Sequence, residues 1–205
     1  ITGWNGVKAS SSNTDAVSAS AVGGAAATSF SVQVQNLAAA QSSISAALQP
    51  AKDPVGAGTL SLQIGTWAGE PKAFTAGSAA AVSIDVSATD TLSDVAGKIN
   101  GAKAGVTATV LNDGTGERLL LRSNATGEAA GYSLSVTDAD GDNGDAAGLS
   151  RLVAGTTTEY AKNANATVNG IAVSSATNAF ADTVAGVTFT AAKVTTDPGT
   201  VTVEK

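Results

Sequence analysis

The acidic run Asp138-Ala-Asp140-Gly-Asp142-Asn143-Gly-Asp145 is the densest group of chemically capable side chains in the sequence. Carboxylates at positions one, three and five of such a run can converge on a hard cation when the backbone curls sharply, as in a calcium loop. The rest of that pattern is missing: position six is Asn143 where glycine is needed, and position twelve is Leu149 where a bidentate glutamate is needed. The alternative is a solvated loop whose Asp and Gly residues serve turn formation, and no metal ligand is assigned. Trp4 and Trp67 raise a second chemistry, a stacking platform for carbohydrate, against the reading of both as packing or interface anchors. Asn124-Ala-Thr126 and Asn165-Ala-Thr167 match the glycosylation sequon, a signal too short to carry weight.

Other chemistries fall away by composition. The 205 residues include no His and no Cys, which removes thiol nucleophiles, thiolate and imidazole metal sites, disulfides and the Ser-His-Asp triad together. A serine nucleophile would need lysine as its base, yet no lysine stands three residues after a serine. Neither phosphate-cradling glycine pattern occurs. A glycosidase-like pair could assemble from distant carboxylates, but Asp85, Asp94 and Glu117 lie in runs read as strand and helix surfaces, where solvation is the ordinary explanation. The expectation is a protein that is not an enzyme, with no catalytic residue and no cofactor. A net charge of −6 argues against nucleic acid as partner. No run approaches the roughly 20 apolar residues of a membrane span, so membrane insertion is not expected. With no Met, the chain cannot begin at its own start codon, and the parent polypeptide is expected to be longer.

Period-two alternation dominates the elements that must carry these side chains. Phe30, Val32 and Val34 alternate with Ser31, Gln33 and Gln35, and Leu60, Leu62 and Ile64 with Ser61 and Gln63. The same spacing recurs at Val82/Ile84/Val86, Val106/Ala108/Val110, Tyr132/Leu134/Val136, Val187/Phe189/Ala191 and Val201/Val203. Ser and Thr fill most of the intervening positions, as half-buried antiparallel sheets require. Asn169-Gly170 supplies the two positive φ values of a type I′ hairpin, and Asp113-Gly-Thr-Gly116 joins 106–112 to 118–123. Leu92, Val95, Ala96 and Ile99 fall at helical spacing behind Thr91 and Asp94, an Asp variant of the capping box, predicting a helix over 92–102 that ends near Gly101 or Gly105. The Ala- and Ser-rich stretch 37–48 is open between extended chain and loose helix, and a short helical turn is expected near 146–152.

Two punctuated stretches, 50–58 with two prolines and two glycines and the polar 155–160, read as linkers. Cutting there gives a mainly β (α+β) fold of two small antiparallel-sheet domains. One is discontinuous, 1–52 plus 159–205, and the other, 53–158, is inserted into it. Gly105-Val-Thr-Ala-Thr and Gly186-Val-Thr-Phe-Thr form a short internal echo compatible with a duplicated unit. From composition and pattern the reading reaches a β-rich interaction module and stops.

Several segments together resemble one family. Ser11-Ser-Asn-Thr-Asp15 and Ser29-Phe-Ser-Val-Gln-Val-Gln-Asn-Leu-Ala-Ala-Ala-Gln41 are similar to the N-terminal half of bacterial flagellar filament cap proteins, the flagellar hook-associated protein 2 family. Lys98-Ile-Asn-Gly-Ala-Lys-Ala-Gly-Val-Thr-Ala108 resembles the "IN" motif shared by those caps and flagellins, and Arg118-Leu-Leu-Leu-Arg-Ser-Asn-Ala-Thr-Gly127 continues as the family does. Ala164-Asn-Ala-Thr-Val-Asn-Gly170, Ser174-Ser-Ala-Thr-Asn178 and Gly186-Val-Thr-Phe-Thr190 resemble the start of its C-terminal half. The resemblance implies a secreted structural protein, exported through the flagellar type III channel, that forms a homo-oligomeric plate at the filament tip. Such a plate retains exported flagellin and promotes its polymerisation, and this chain would be its second (outer) and third (inserted) head domains. The heptad-bearing terminal helices that the family uses as legs are not in this sequence. The competing reading is a surface adhesin, a β module binding mucin or another glycan.

Overall fold

Wherever apolar and small polar residues alternate, the chain is extended. The computed structural model describes residues 6–145 and 147–205. Along them run β1 (Lys8–Ser11), β2 (Val17–Ala21), β3 (Thr28–Asn36), β4 (Ser42–Ile44), β5 (Gly58–Ala68), β6 (Ala73–Ala76) and β7 (Val82–Val86). The helix α1 (Leu92–Ala102) follows, then β8 (Val106–Asn112), β9 (Glu117–Ser123), β10 (Gly131–Asp138) and β11 (Thr157–Glu159). The last strands are β12 (Ala164–Val168), β13 (Ile171–Ser175), β14 (Ala179–Val184), β15 (Val187–Ala191) and β16 (Gly199–Glu204). Every strand pairing among them is antiparallel.

The chain divides into two compact units, an outer one made of the chain up to Ala39 with Lys162–Lys205, and an inner one, Ala40–Ala161. This corrects the boundary expected from punctuation. Residues 40–52 belong to the inner unit because β4 pairs with β9 and Leu48 bridges Glu117. The stretch 50–58 is no linker either: Val55 is buried in the inner core and Pro54 bridges Thr91. In 155–160, β11 pairs with β4. Proline and glycine there serve turns inside a folded unit.

In the outer unit a five-stranded sheet, ordered β1-β16-β3-β12-β13, shares one core with a three-stranded sheet, β14-β15-β2. Phe30, Val32 and Val34 from β3 and Val201 and Val203 from β16 meet Val187, Phe189 and Ala191 from β15. The Phe189 ring stacks on Phe180 at 4.7 Å and lies tilted to Phe30 at 6.1 Å. Each buried Phe or Val among them contributes roughly 1.5–3 kcal/mol through its removal from water. Asn169 and Gly170 take φ of 50° and 82°, the paired left-handed values that close the β12–β13 hairpin as expected.

The inner unit holds two four-stranded sheets. In one, the long β5 pairs with β10 on one side and with β7 and then β6 on the other; the second is ordered β11-β4-β9-β8. The helix lies where its spacing predicts. Thr91 Oγ1 accepts from the Asp94 N–H at 3.3 Å, and an Asp94 carboxylate oxygen accepts from the Thr91 N–H at 3.0 Å, so the Asp variant does close the capping box. Leu92, Val95, Ala96 and Ile99 face the core beside Val106 and Ala108 of β8. Lys103, at φ 51°, is the left-handed residue that ends it. The helix thus spans the expected 92–102 and stops one residue past Gly101, near the first of the two expected stops. The stretch 37–48 is extended where it forms β4, and the turn expected near 146–152 is a short 3-10 helix over Gly148–Leu152.

Candidate functional site

The inner unit gathers its polar chemistry around Tyr132. Residues 41, 43 and 45 alternate, and all three side chains point inward although they are Gln, Ser and Ser. Gln41 reads both backbone groups of Tyr132: its Oε1 accepts from the Tyr132 N–H at 2.9 Å and its Nε2 donates to the Tyr132 carbonyl at 2.9 Å. The Trp67 indole N–H donates to the same carbonyl at 2.7 Å. Gly131 makes room for this, since a Cβ there would sit 2.9 Å from Gln41 Oε1 and 2.8 Å from the Gly65 carbonyl. The Tyr132 hydroxyl lies 2.6 Å from Ser43 Oγ and donates to the Leu121 carbonyl at 3.2 Å. Ser45 Oγ accepts from the Leu119 N–H at 2.8 Å. Among the described residues no buried side-chain polar atom lacks a partner, which keeps so polar an interior affordable.

Above this floor lies a cleft of about 180 Å³ lined by Trp67, Tyr132, Thr156, Thr158 and Tyr160. Trp67 sits between Phe74 at 5.1 Å and Tyr160 at 5.7 Å, and Lys72 Nζ lies 5.4 Å from the centre of the Tyr160 ring. Burial pushes the Tyr132 phenol up to about 12, so it stays protonated near neutrality despite the opposing hydrogen bonds from Ser43 and Gln41. The cleft therefore offers ring faces and fixed hydrogen bonds. Trp67 is held here by its indole hydrogen bond and the flanking Phe74 and Tyr160 rings; Trp4 lies outside the described residues.

The acidic run folds as a ladder of turns. Asp138, Asp140 and Asp145 each bring one carboxylate oxygen within 4.8 Å of the others. Backbone N–H groups two residues on are accepted by Asp138, Asp140, Asp142 and Asp145. Asp138 is buried, and its Oδ2 also accepts from the Ser150 N–H at 2.9 Å and the Ser150 hydroxyl at 2.7 Å. Burial raises its carboxyl, but these donors outweigh that and hold it below the usual aspartate value. The hydrogen bonds account for the run as a turn pinned to the 3-10 helix, and we assign no metal to it.

Of the three carboxylates placed on solvated faces, Asp85 and Asp94 are exposed, with Asp94 spent on the helix cap. Glu117 differs: it is buried, and its Oε1 accepts from the Lys52 N–H at 2.6 Å, because β9 begins under the turn carrying Pro50. Both sequon asparagines are engaged: Asn124 Oδ1 accepts from Thr107 at 2.6 Å, and Asn165 Nδ2 donates to Asn36 at 2.9 Å. Sequence reasoning missed what Asn100 does. Its amide donates to the Ala108 carbonyl at 2.9 Å and accepts from the Ala108 N–H at 2.7 Å, fastening α1 to β8, while neighbouring Ile99 fills the core. An Asn beside a periodic apolar position, just before a helix end, was the available signal.

Comparisons with known proteins bear on this geometry. Residues 2–41 match the model of the flagellar hook-associated protein 2 N-terminus, and residues 73–125 match that of the flagellin hook IN motif, which contains α1, β8 and Asn100. The B-type flagellar hook-associated protein 2 of Pseudomonas aeruginosa PAO1 is 34% identical over 91% of this chain, and the chain spans 40% of that curated relative's length. The crystal structure of the flagellar cap protein FliD D2-D3 domains from Escherichia coli is matched over 98% of this chain and 100% of that one, at 30% identity and a TM-score of 0.79. The FliD (HAP2) structure from P. aeruginosa PAO1 is matched over 93% of this chain and 85% of that one, at 29% identity and a TM-score of 0.72.

Proposed function

Because this chain belongs to the flagellar hook-associated protein 2 family, we propose that it is the sheet-built head of a flagellar filament cap protein. Its outer unit serves as the second head domain and its inner unit as the third. Copies of the parent protein assemble at the extracellular tip of the filament, where the plate they form retains exported flagellin and promotes its polymerisation. The observation that carries this reading is the end-to-end match with the E. coli D2-D3 fragment, which both units share and which leaves almost none of either chain over. The chemistry fits: Gln41, Ser43 and Trp67 hold Tyr132 in hydrogen bonds, as suits a part that is shaped to pack.

The test is a strain deleted for the parent gene and supplied with the parent protein either intact or lacking residues 1–205. The intact protein is expected to restore full filaments, and the shortened one to leave stunted filaments with flagellin released into the medium. Full filaments with the shortened protein would overturn the reading.

A second reading, attachment to mucin or another glycan, is favoured by one observation, the partly exposed Trp67–Tyr160 pair at the mouth of the cleft. It predicts that Trp67→Ala abolishes mucin retention while motility persists. Equal retention by both proteins would remove it.

A further inference from the structure

Among the described residues β8 pairs with β9 alone, in unbroken register from Val106 opposite Ser123 to Asn112 opposite Glu117, and so it ends its sheet. The free side of such a strand offers backbone N–H and C=O groups to any extended chain that reaches it. Proteins ordinarily blunt that side with a bulge, a proline, a lysine or a strand too short to template another. β8 has none of these. Its seven residues, Val106-Thr-Ala-Thr-Val-Leu-Asn112, carry no charge, no proline and no glycine, and four of them are β-branched. Segments of that composition stack readily into sheets between chains.

We infer that Asn100 guards this edge: its carboxamide occupies the place where a strand of a second copy would pair with β8, and so keeps strands from adding there. Its geometry is that of a strand residue. Opposed residues of an antiparallel pair exchange both an N–H and a C=O bond or exchange neither, in alternation. Asn100 Nδ2 donates to the Ala108 carbonyl at 2.9 Å and its Oδ1 accepts from the Ala108 N–H at 2.7 Å, so one side chain supplies both bonds. Ala108 therefore turns both backbone groups away from its partner Leu121, and by the same alternation Val106 and Val110 turn theirs away from β9. An incoming strand cannot pair through Ala108 without expelling the Asn100 side chain.

The other terminal strands of the inner unit show what β8 lacks. β11 has three residues and ends on Glu159, β6 has four, and β7 carries Asp85. β10, which pairs with β5 alone, is closed by the same device as β8: Gln41 takes both backbone groups of Tyr132, and at the far end Asn143 Oδ1 accepts from the Asp138 N–H at 2.7 Å. The strand that Asn100 excludes is a second β8. Being uncharged and bare of other protection, two such edges can meet antiparallel across a two-fold axis with no like charges opposed.

Hydrogen exchange and light scattering on the 205-residue chain test this, with Asn100→Ala as the variant, since alanine keeps α1 helical. In the native chain, diluted until it is monomeric, the Ala108 amide should exchange about tenfold or more slowly than that of Val110, which faces the same edge without a guard. Asn100→Ala is expected to assemble at a concentration about tenfold or more below that of Ile99→Val, a control that loosens the same helix and leaves the guard in place. The Val110 amide should become protected in the assembled variant, and adding Thr109→Lys at an exposed position of the edge should disperse it. Assembly no stronger than that of Ile99→Val, or assembly that leaves the Val110 amide fast, would overturn the guard. Assembly that persists with Thr109→Lys would overturn a second β8 as the excluded strand. A Val110 amide as slow as that of Ala108 in the native chain would overturn the guard as well, and this arm holds even where the variant does not fold.

Discussion

In the outer unit the inward positions of β3, β15 and β16 are Phe, Val and Ala throughout, and one stack of phenylalanines marks their centre. In the inner unit the same kind of position, at residues 41, 43 and 45, holds Gln, Ser and Ser, tied to Tyr132 and Leu119 by hydrogen bonds. The outer unit balances four Lys and Arg against four Asp and Glu, while the inner unit is strongly acidic. The difference teaches that sheets of similar composition can be specified in two ways. Apolar packing tolerates change in proportion to the volume lost. A buried polar network fixes one register and fails abruptly when a member is removed.

The largest expected effect breaks the apolar side of this comparison. Phe189→Ala removes a fully buried ring from between Phe180 and Phe30 and is expected to cost about 3–5 kcal/mol. Hydrogen exchange followed unit by unit should show the loss in β14, β15 and β2 first. Equal loss across both units would mean that they do not unfold separately.

Next in size is the polar side. Gln41→Leu keeps the bulk but leaves the Tyr132 N–H without its acceptor in the interior, an expected cost of about 1–3 kcal/mol. Denaturant unfolding of the variant checks this, with protection lost at β4, β5 and β10 and retained in the outer unit. A neutral result would show the hydrogen bonds to be incidental to packing.

Acidity gives a graded version of the same contrast. Asp90, Asp113 and Asp138 all lie in the inner unit, and all three carboxyls are held below the ordinary value of 3.8. For Asp90 the leading cause is its hydrogen bond to Lys98, and for Asp113 those to Thr115. A carboxyl depressed by folding contributes stability that is complete above its unfolded value and is lost as pH falls toward its folded one. Inner-unit stability should therefore decline below about pH 4. Tyr132 has the opposite sign: raised from 10.0 to about 12, it contributes fully below pH 10 and its share is lost as pH climbs through the folded value. Calorimetry across pH checks both arms, and Tyr132→Phe should blunt only the alkaline one.

The two units also differed in how far they could be read in advance. Alternation at 30–34, 187–191 and 201–203 located β3, β15 and β16 and their buried faces, because side chains there follow the simple rule of apolar inward, whereas β1, β2 and β14 were not read. In the inner unit the same rule found β5, β8, β10 and α1 but left 37–48 open, since β4 buries its polar residues and exposes Ile44. The partners that make this stable, Tyr132 and Leu119, lie about 75–90 residues away along the chain, beyond any local pattern. The unit boundary was misplaced for a related reason, as Pro50 and its neighbours punctuate a turn whose membership depends on the distant pairing of Leu48 with Glu117. At the Tyr132 site, Trp67 was singled out in the sequence, while Gln41, Ser43 and Tyr160 were not assigned to it.

The smallest effects concern backbone conformation alone. Lys103 ends α1 at φ 51°, and Asp182, in the irregular part of the β14–β15 pairing, has φ 58°. Both are exposed residues in the left-handed region, one in each unit. A side chain with a Cβ is strained there, whereas glycine is not. Aspartate tolerates the conformation better than lysine, because its short carboxylate can bond to nearby backbone. Lys103→Gly is therefore expected to stabilise the inner unit by about 0.5–1 kcal/mol, after glycine's greater freedom in the unfolded chain is subtracted. Asp182→Gly should change the outer unit by less, about 0–0.5 kcal/mol. Paired denaturant melts decide the order, and a larger gain at Asp182 would show that pairing of β14 with β15, rather than local φ, sets the strain in the outer unit.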